Sequence, residues 1–334
     1  MIELMREATF LEQKLQILRL ERKKMCPNNA VAAWEEKAII QRHKLQQSEQ
    51  MNEKLRRALF LQSGFVRNMR RMFSETMPSS IGVNMRSFLH TPTHLSKDQL
   101  SRVRNLERVC NNAKLDMTKQ IIMDETSRVK PSKTPHIAVH QVDFGREGFG
   151  MTSIAVYALE TENACKTFKV MCSAILNSAT EWPSHTLVSS SSTKVDLPPT
   201  CLNIGYNMSS SIYECDSTGE QVSVECRDIF YYRMTESCGL LLWDYVDADD
   251  INPLQRETAA MRCSIGGALV QSEICTDGVE RIVCRNVCTA MHLVDTSELT
   301  PTLERFSKSR QLCAKNRASL VYETIKTGVV TSAC

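Results

Sequence analysis

The sequence has no apolar run near the roughly 18 residues that suggest a membrane-spanning helix, so no membrane span is expected. It has no basic start followed by an apolar stretch, which argues against a secretory leader. It lacks a strong charge of either sign. Its 41 Lys and Arg against 38 Asp and Glu leave a net charge of +3, too little to argue for a nucleic-acid surface. It has 14 cysteines but no regular spacing among them, so no disulfide framework is expected. These absences point to an intracellular location in a reduced compartment, cytoplasmic or nuclear. On that reading the sequon Asn207-Met208-Ser209 is incidental. The final Thr-Ser-Ala-Cys is not a prenylation box, which needs its Cys four from the end.

Catalytic signatures are also missing. There is no Gly-Xaa-Ser-Xaa-Gly elbow. The glycines of Gly145-Arg146-Glu147-Gly148-Phe149-Gly150 lack the Lys-Ser/Thr ending and the strand-to-helix setting of a phosphate loop, so a hairpin turn is expected there. His90 and His94 have a two-ligand spacing, but Pro92 breaks the helix that would align them. His136 and His140 would share one face of a strand roughly 13 Å apart, too far to hold one metal. Cys284 and Cys288 have the same limitation, and Cys165 and Cys172 read as small apolar packing groups. No metal, no cofactor and no catalytic residue is assigned, and the chain is not expected to be an enzyme.

What is present is a chain of 334 residues, 42% hydrophobic and 24% charged, enough for a domain with an extended arm. Lys and Arg crowd the first 75 residues, and Asp and Glu crowd 214–250. Leu4, Leu11, Leu18 and Met25 recur every seven residues, with Ala8 and Leu15 between them, a short zipper pattern. After Pro27 a second helix is expected over 30–75. Ala38, Leu45, Asn52, Leu59, Val66 and Phe73 repeat along it, accompanied by Trp34, Gln41, Ser48, Leu55, Gln62 and Met69. The seam taken forward is Leu4, Leu11, Leu15, Leu18, Asn52, Leu55 and Leu59, apolar and packed from Leu55 onward. In a parallel homodimer Glu7 would face Glu12 and Lys14 would face Arg19, so a heteromeric coiled-coil partner is expected.

The domain plan is an arm over 1–76, a linker over 77–95 and an α+β domain over 96–330. Leu95-Ser96-Lys97-Asp98-Gln99-Leu100 reads as a helix start capped by Ser96, with the helix running to about Met123. Strands follow near 136–143 and 151–158, then a helix near 162–179. Further strands are expected near 185–195, 202–213, 222–234, 238–247, 262–274 and 280–293. Thr300-Pro301 opens a last helix whose stripe is Leu303, Phe306, Cys313, Leu320 and Ile325. In 222–234 the even positions form an apolar face interrupted only by Asp228. That carboxylate either pairs with an arginine such as Arg281 or Arg285 or marks the polar end of a cavity.

The zipper-like opening, the helix with Trp34 and Ala38, and the segment Glu49-Gln50-Met51-Asn52-Glu53-Lys54-Leu55-Arg56 resemble an oomycete family of mating-specific proteins. Members of that family pair a coiled coil with a START-like domain, and some look like bZIP proteins. The resemblance implies a helix-grip fold, in which a curved antiparallel sheet wraps a C-terminal helix around an apolar cavity. It implies a lipid or other hydrophobic ligand. Asp228, Phe230, Tyr232, Phe306 and Cys313 are then the cavity candidates. No basic region precedes the zipper, so specific DNA binding by this chain alone is not expected. Two functions follow: a non-enzymatic binding module with an associating arm, or a zipper-only regulator that pairs with and inhibits bZIP-like transcription factors.

Overall fold

The structure, a computed structural model, describes residues 14, 16–18, 29–73, 82–144, 149–161, 163–176, 185–194, 202–214, 219, 221–254, 259–293 and 314–329. The chain divides into two compact units, Met1–Val66 and Arg67–Cys334.

In the first unit the main feature is helix α1 (Asn29–Phe73). No glycine or proline falls between residues 30 and 62, and Glu, Lys, Arg, Gln and Leu dominate, all good helix formers. The expected seam positions that are described lie open in the single chain. Leu18, Asn52, Leu55 and Leu59 are exposed, as are Trp34 and Leu45, and it is Phe60, off the heptad seam, that is buried. Heptad spacing aligns side chains on one side of a helix; it does not supply the surface that covers them. Leu4, Leu11 and Leu15 lie outside the described residues.

The second unit has ordered elements inside the stretch 77–95 that was expected to be a linker. Helix α2 (Met85–Leu89) buries Met85, Phe88 and Leu89 and is capped by Asn84, which accepts from the Ser87 N–H. Strand β1 (His94–Leu95) buries Leu95 and pairs in parallel with β8 (Ala248–Asp249). Helices α3 (Gln99–Val109) and α4 (Asn112–Thr126) replace the single helix expected to Met123. The break falls at Cys110-Asn111, where Asn111 caps a new start by accepting from the Lys114 N–H. The cap of α3 is Asp98, accepting from the Ser101 N–H at 2.8 Å, rather than Ser96; a carboxylate suits that position better because it also meets the positive end of the helix dipole.

Eight strands form one sheet. They are β2 (His136–Asp143), β3 (Phe149–Leu159), β4 (His185–Lys194), β5 (Asn203–Glu214), β6 (Gln221–Met234), β7 (Cys238–Tyr245), β9 (Ala259–Ile274) and β10 (Glu280–Leu293). Their spatial order is β2-β3-β10-β9-β7-β6-β5-β4, antiparallel between neighbours in that order. Beyond the end of β7, β9 closes onto β6 in a short parallel pairing. Strands β2 and β3 form a hairpin, Asp143 opposite Phe149, across the glycine-rich segment.

Both faces of this sheet are covered. On the outer face α4 buries Leu115, Thr118, Ile121 and Ile122. Gly267 permits that approach, since a Cβ there would lie 2.1 Å from Thr118 Cγ2. On the inner face lie helix α5 (Ala164–Leu176) and a C-terminal helix, α6, described over 314–329. Phe168, Met171 and Ile175 of α5 and Tyr322, Ile325 and Val329 of α6 join Tyr157, Phe230, Leu241, Trp243 and Cys284 in one core cluster. Each such large apolar side chain contributes about 1.5–3 kcal/mol by leaving water. The expected α+β order, with an antiparallel sheet and a C-terminal helix gripped on it, is therefore present. Leu303, Phe306 and Cys313 of the expected stripe lie outside the described residues.

Candidate functional site

Between the inner face and the helices α5 and α6 the packing opens into two adjoining pockets. The larger, about 80 Å³, has mainly apolar walls, including Met151, Ala155, Ile175, Ala314, Ala318 and Val321. The smaller, about 40 Å³, is walled by Asn207, Ser209, Ser211, Tyr213, Cys226 and Asp228. Ile175, Trp243, Arg262 and Arg317 line both. The result is one amphipathic recess, apolar toward β3 and β10 and polar toward β5 and β6.

Strand alternation makes the polar end. Residues of one parity on β5 share a face, and Asn207, Ser209 and Ser211 stand opposite Asp228, Cys226 and Val224 of β6 in the pairing register. Trp243 forms the floor between the pockets. Its indole lies on Gly266, where a Cβ would sit 2.3 Å from the ring, and its Nε1–H donates to Ser264 Oγ at 3.1 Å.

Asp228 is the electrostatic anomaly of the recess. As a residue it is only partly buried, but Oδ1 is shut off from solvent without a hydrogen-bond partner. Oδ2 accepts from the Cys226 thiol at 3.0 Å. Burial lifts the carboxyl to about 7, opposed by the Cys226 bond and by the positive charge of Arg262. Arg262 feels the opposite balance: burial disfavours its charge, but Tyr213, Cys226, Cys288 and Asp228 hold its pKa above the ordinary value. Its Nη1 reaches the Tyr213 hydroxyl at 3.5 Å, yet Asp228 and Arg262 form no ion pair. Burial raises the pKa of both Cys226 and Cys288, so these wall thiols stay protonated rather than acting as thiolate nucleophiles.

The sequence-based candidates divide. Asp228 lines the smaller pocket. Phe230 and Tyr232 share its face but belong to the packing beside it. Phe230 lies over Gly205, and Tyr232 meets Phe168 edge-on at 5.5 Å. Phe306 and Cys313 lie outside the described residues. The arginines considered for Asp228 are engaged elsewhere. Arg281 donates to Asp277 at 2.6 Å, and Arg285 donates through Nε to Glu273 at 2.8 Å and to the Thr126 carbonyl. On β10 it is Asn286, Cys288 and Ala290 that line the recess, so Arg285, of the other parity, points away from Asp228. Arg262, Trp243 and the polar row on β5 were not singled out from sequence. The signal was there: Asn207, Ser209, Ser211 and Tyr213 share a parity, and so do Arg262 and Ser264.

A second polar cluster lies away from the recess. His90 Nδ1 bonds Asp244 Oδ1 at 2.8 Å, its Nε2 lies 3.3 Å from Asp247, and its ring stacks on Tyr245 at 4.0 Å. Arg102 grips both oxygens of Asp249 at 2.7 and 2.8 Å, and the Tyr206 hydroxyl donates to the same carboxylate at 2.7 Å. His94 bonds Asp250 at 2.7 Å. The two histidines with apparent ligand spacing thus clasp the acidic turn around 244–250.

No protein-family model matches the sequence, and no curated protein matches it. Among solved structures the chain is similar to human STARD10, with 11% identity, a TM-score of 0.43, and coverage of 65% of this chain and 80% of that one. It is similar to the lipid transfer and protein localization domain of human StarD13, with 13% identity, a TM-score of 0.34, and coverage of 66% and 99%. A third similar structure is the Zhui aromatase/cyclase from Streptomyces sp. R1128, with 9% identity, a TM-score of 0.26, and coverage of 58% and 94%.

Proposed function

We propose that the second unit is a START-like, non-enzymatic binding domain that takes a small lipid-like ligand between its sheet and helix α6. The observation that carries this reading is the recess itself, with an apolar wall continuous with a polar end that holds a buried, unpaired carboxyl oxygen. Apolar recesses with a few convergent polar groups are the usual form of small-molecule sites. About 80 Å³ is well below the ~300–1,000 Å³ of drug-sized sites. The recess as it stands suits one short chain, and a larger lipid requires α6 to move outward. Native mass spectrometry of the purified full chain, before and after organic extraction, tests this. A bound mass that solvent removes and an added alkyl amphiphile restores is the expected result. A bare chain that also ignores alkyl amphiphiles contradicts it.

The arm carries a second role. Trp34, Leu45, Leu55 and Leu59 are exposed along α1, which favours association with a helix of another protein, heteromeric rather than homodimeric. The nine described cysteines are free thiols, consistent with an intracellular, reduced setting.

A further inference from the structure

The polar end of the recess is selective about what fills it, and this inference rests on the ligand-binding reading above. Asn207, Ser209 and Ser211 are buried, and among the described residues no hydrogen bond engages their side chains. Asp228 Oδ1 is buried and unpartnered beside them. The row continues outward on β4, where Ser192 and Ser190 pair with Asn207 and Ser209 and are exposed. Serine and asparagine each offer both a donor and an acceptor, the carboxylate offers acceptors, and Arg262 offers donors.

A phosphate diester would suit Arg262 and Arg317, but it brings only acceptors, so it leaves the buried Asp228 carboxylate and the acceptor sites of the serines and Asn207 without a donor. A quaternary ammonium would suit Asp228, but it forms no hydrogen bonds and would displace water from the serines without replacing it. A hydroxyl group donates and accepts at once, so it satisfies Asp228 in either protonation state. Side chains two residues apart on a strand stand ~7 Å apart, a span that one ring or short chain of adjacent hydroxyls bridges. We infer that this pocket receives a neutral polyhydroxylated head group, a glycosyl or glycerol unit, whose alkyl chain lies in the adjoining apolar pocket.

Calorimetric titration of the full chain with octyl glucoside, octyl phosphate, octyl trimethylammonium and free glucose, each below its micelle-forming concentration, tests the assignment. Octyl glucoside should bind at least about tenfold more tightly than either charged octyl probe, the effect of about one buried polar group left unpaired. Free glucose should bind more weakly than octyl glucoside. The pair Ser209→Ala with Ser211→Ala should weaken octyl glucoside about tenfold and leave octyl phosphate unchanged. Asp228→Ala, which removes an unpaired buried group and so keeps the fold, should also weaken octyl glucoside about tenfold and, by removing a negative charge, should strengthen octyl phosphate if it changes it at all. Octyl phosphate binding as well as octyl glucoside would overturn the head-group assignment and leave the lipid-like reading standing. Glucose matching octyl glucoside would overturn the alkyl half of the proposal. Binding of no probe would overturn both readings.

Discussion

The two faces of the sheet handle charge in opposite ways. On the outer face acids meet cations at short range: Asp249 with Arg102, Asp244 with His90, Glu273 with Arg285, and Glu225 with Arg227. Arg227 keeps its Glu225 contact even though two of its nitrogens find no hydrogen-bond partner. Among the described residues, on the inner face Asp228 meets only a thiol, and Arg262 reaches only a tyrosine hydroxyl at 3.5 Å. Buried ionisable groups that are paired hold a fold in register; those left unpaired are costly and persist where something else is to be bound. The outer face is therefore read as structure and the inner face as site.

Removing an outer-face partner should have the largest effect. Asp249 is fully shielded and Arg102 nearly so, and the bonds from Arg102, Tyr206 and Asn252 hold the Asp249 carboxyl well below its usual range despite burial. Asp249→Ala should cost about 3–5 kcal/mol in denaturant melts, because it strands Arg102. A loss under about 1 kcal/mol would break the claim that this face is load-carrying structure.

The inner face should respond with the opposite sign. Because the folded state raises the Asp228 carboxyl to about 7, it binds that proton more tightly than the unfolded chain does. Its contribution to stability thus falls as pH rises from about 4 to about 7 and is flat above that. Asp228→Asn should gain about 2–4 kcal/mol near pH 8, and the gain should vanish toward pH 4. A variant that is less stable than the parent at pH 8 would place Asp228 among the structural pairs.

His90 sharpens the contrast with a third pH signature. Burial disfavours its charged form, but the bonds to Asp244 and Asp247 outweigh burial and raise its pKa above 6.5. Its stabilisation should be full below about pH 6 and lost as pH rises through the raised value. His90→Gln should therefore cost about 1–2 kcal/mol at pH 5 and less at pH 9. Equal losses at both would show that the ring acts through stacking on Tyr245 alone. The smallest effect belongs to the arm. Leu59→Ala, at an exposed seam position, should change the melting of the isolated chain by under about 0.5 kcal/mol, while pull-down of a helical partner should weaken.

Much of the sheet was legible because alternation and turn residues are local signals. The strands expected at 136–143 and 280–293 coincide with β2 and β10, and the others fall within a few residues of their observed limits. What was not legible depends on contacts between segments. Met85, Phe88 and Leu89 look like linker residues until the outer face exists to bury them. The break at Cys110-Asn111 is a capping choice within a stretch whose periodicity favours one helix. Asp228 was visible as an odd carboxyl on an apolar face, but its setting was not. Asn207 stands opposite it only through β5–β6 register, and Arg262 arrives from β9. The seam on α1 is also a local signal: its described positions Asn52, Leu55 and Leu59 fall on a helix and are exposed in the single chain.

Hydrogen–deuterium exchange of the full chain with and without octyl glucoside tests the division between the faces most directly. The account predicts slowed exchange in β5, β6 and helix 314–329, which border the recess, with α2, α3, α4 and the arm unchanged. Protection confined to the outer helices or to the arm, or no protection at ligand saturation, would contradict it.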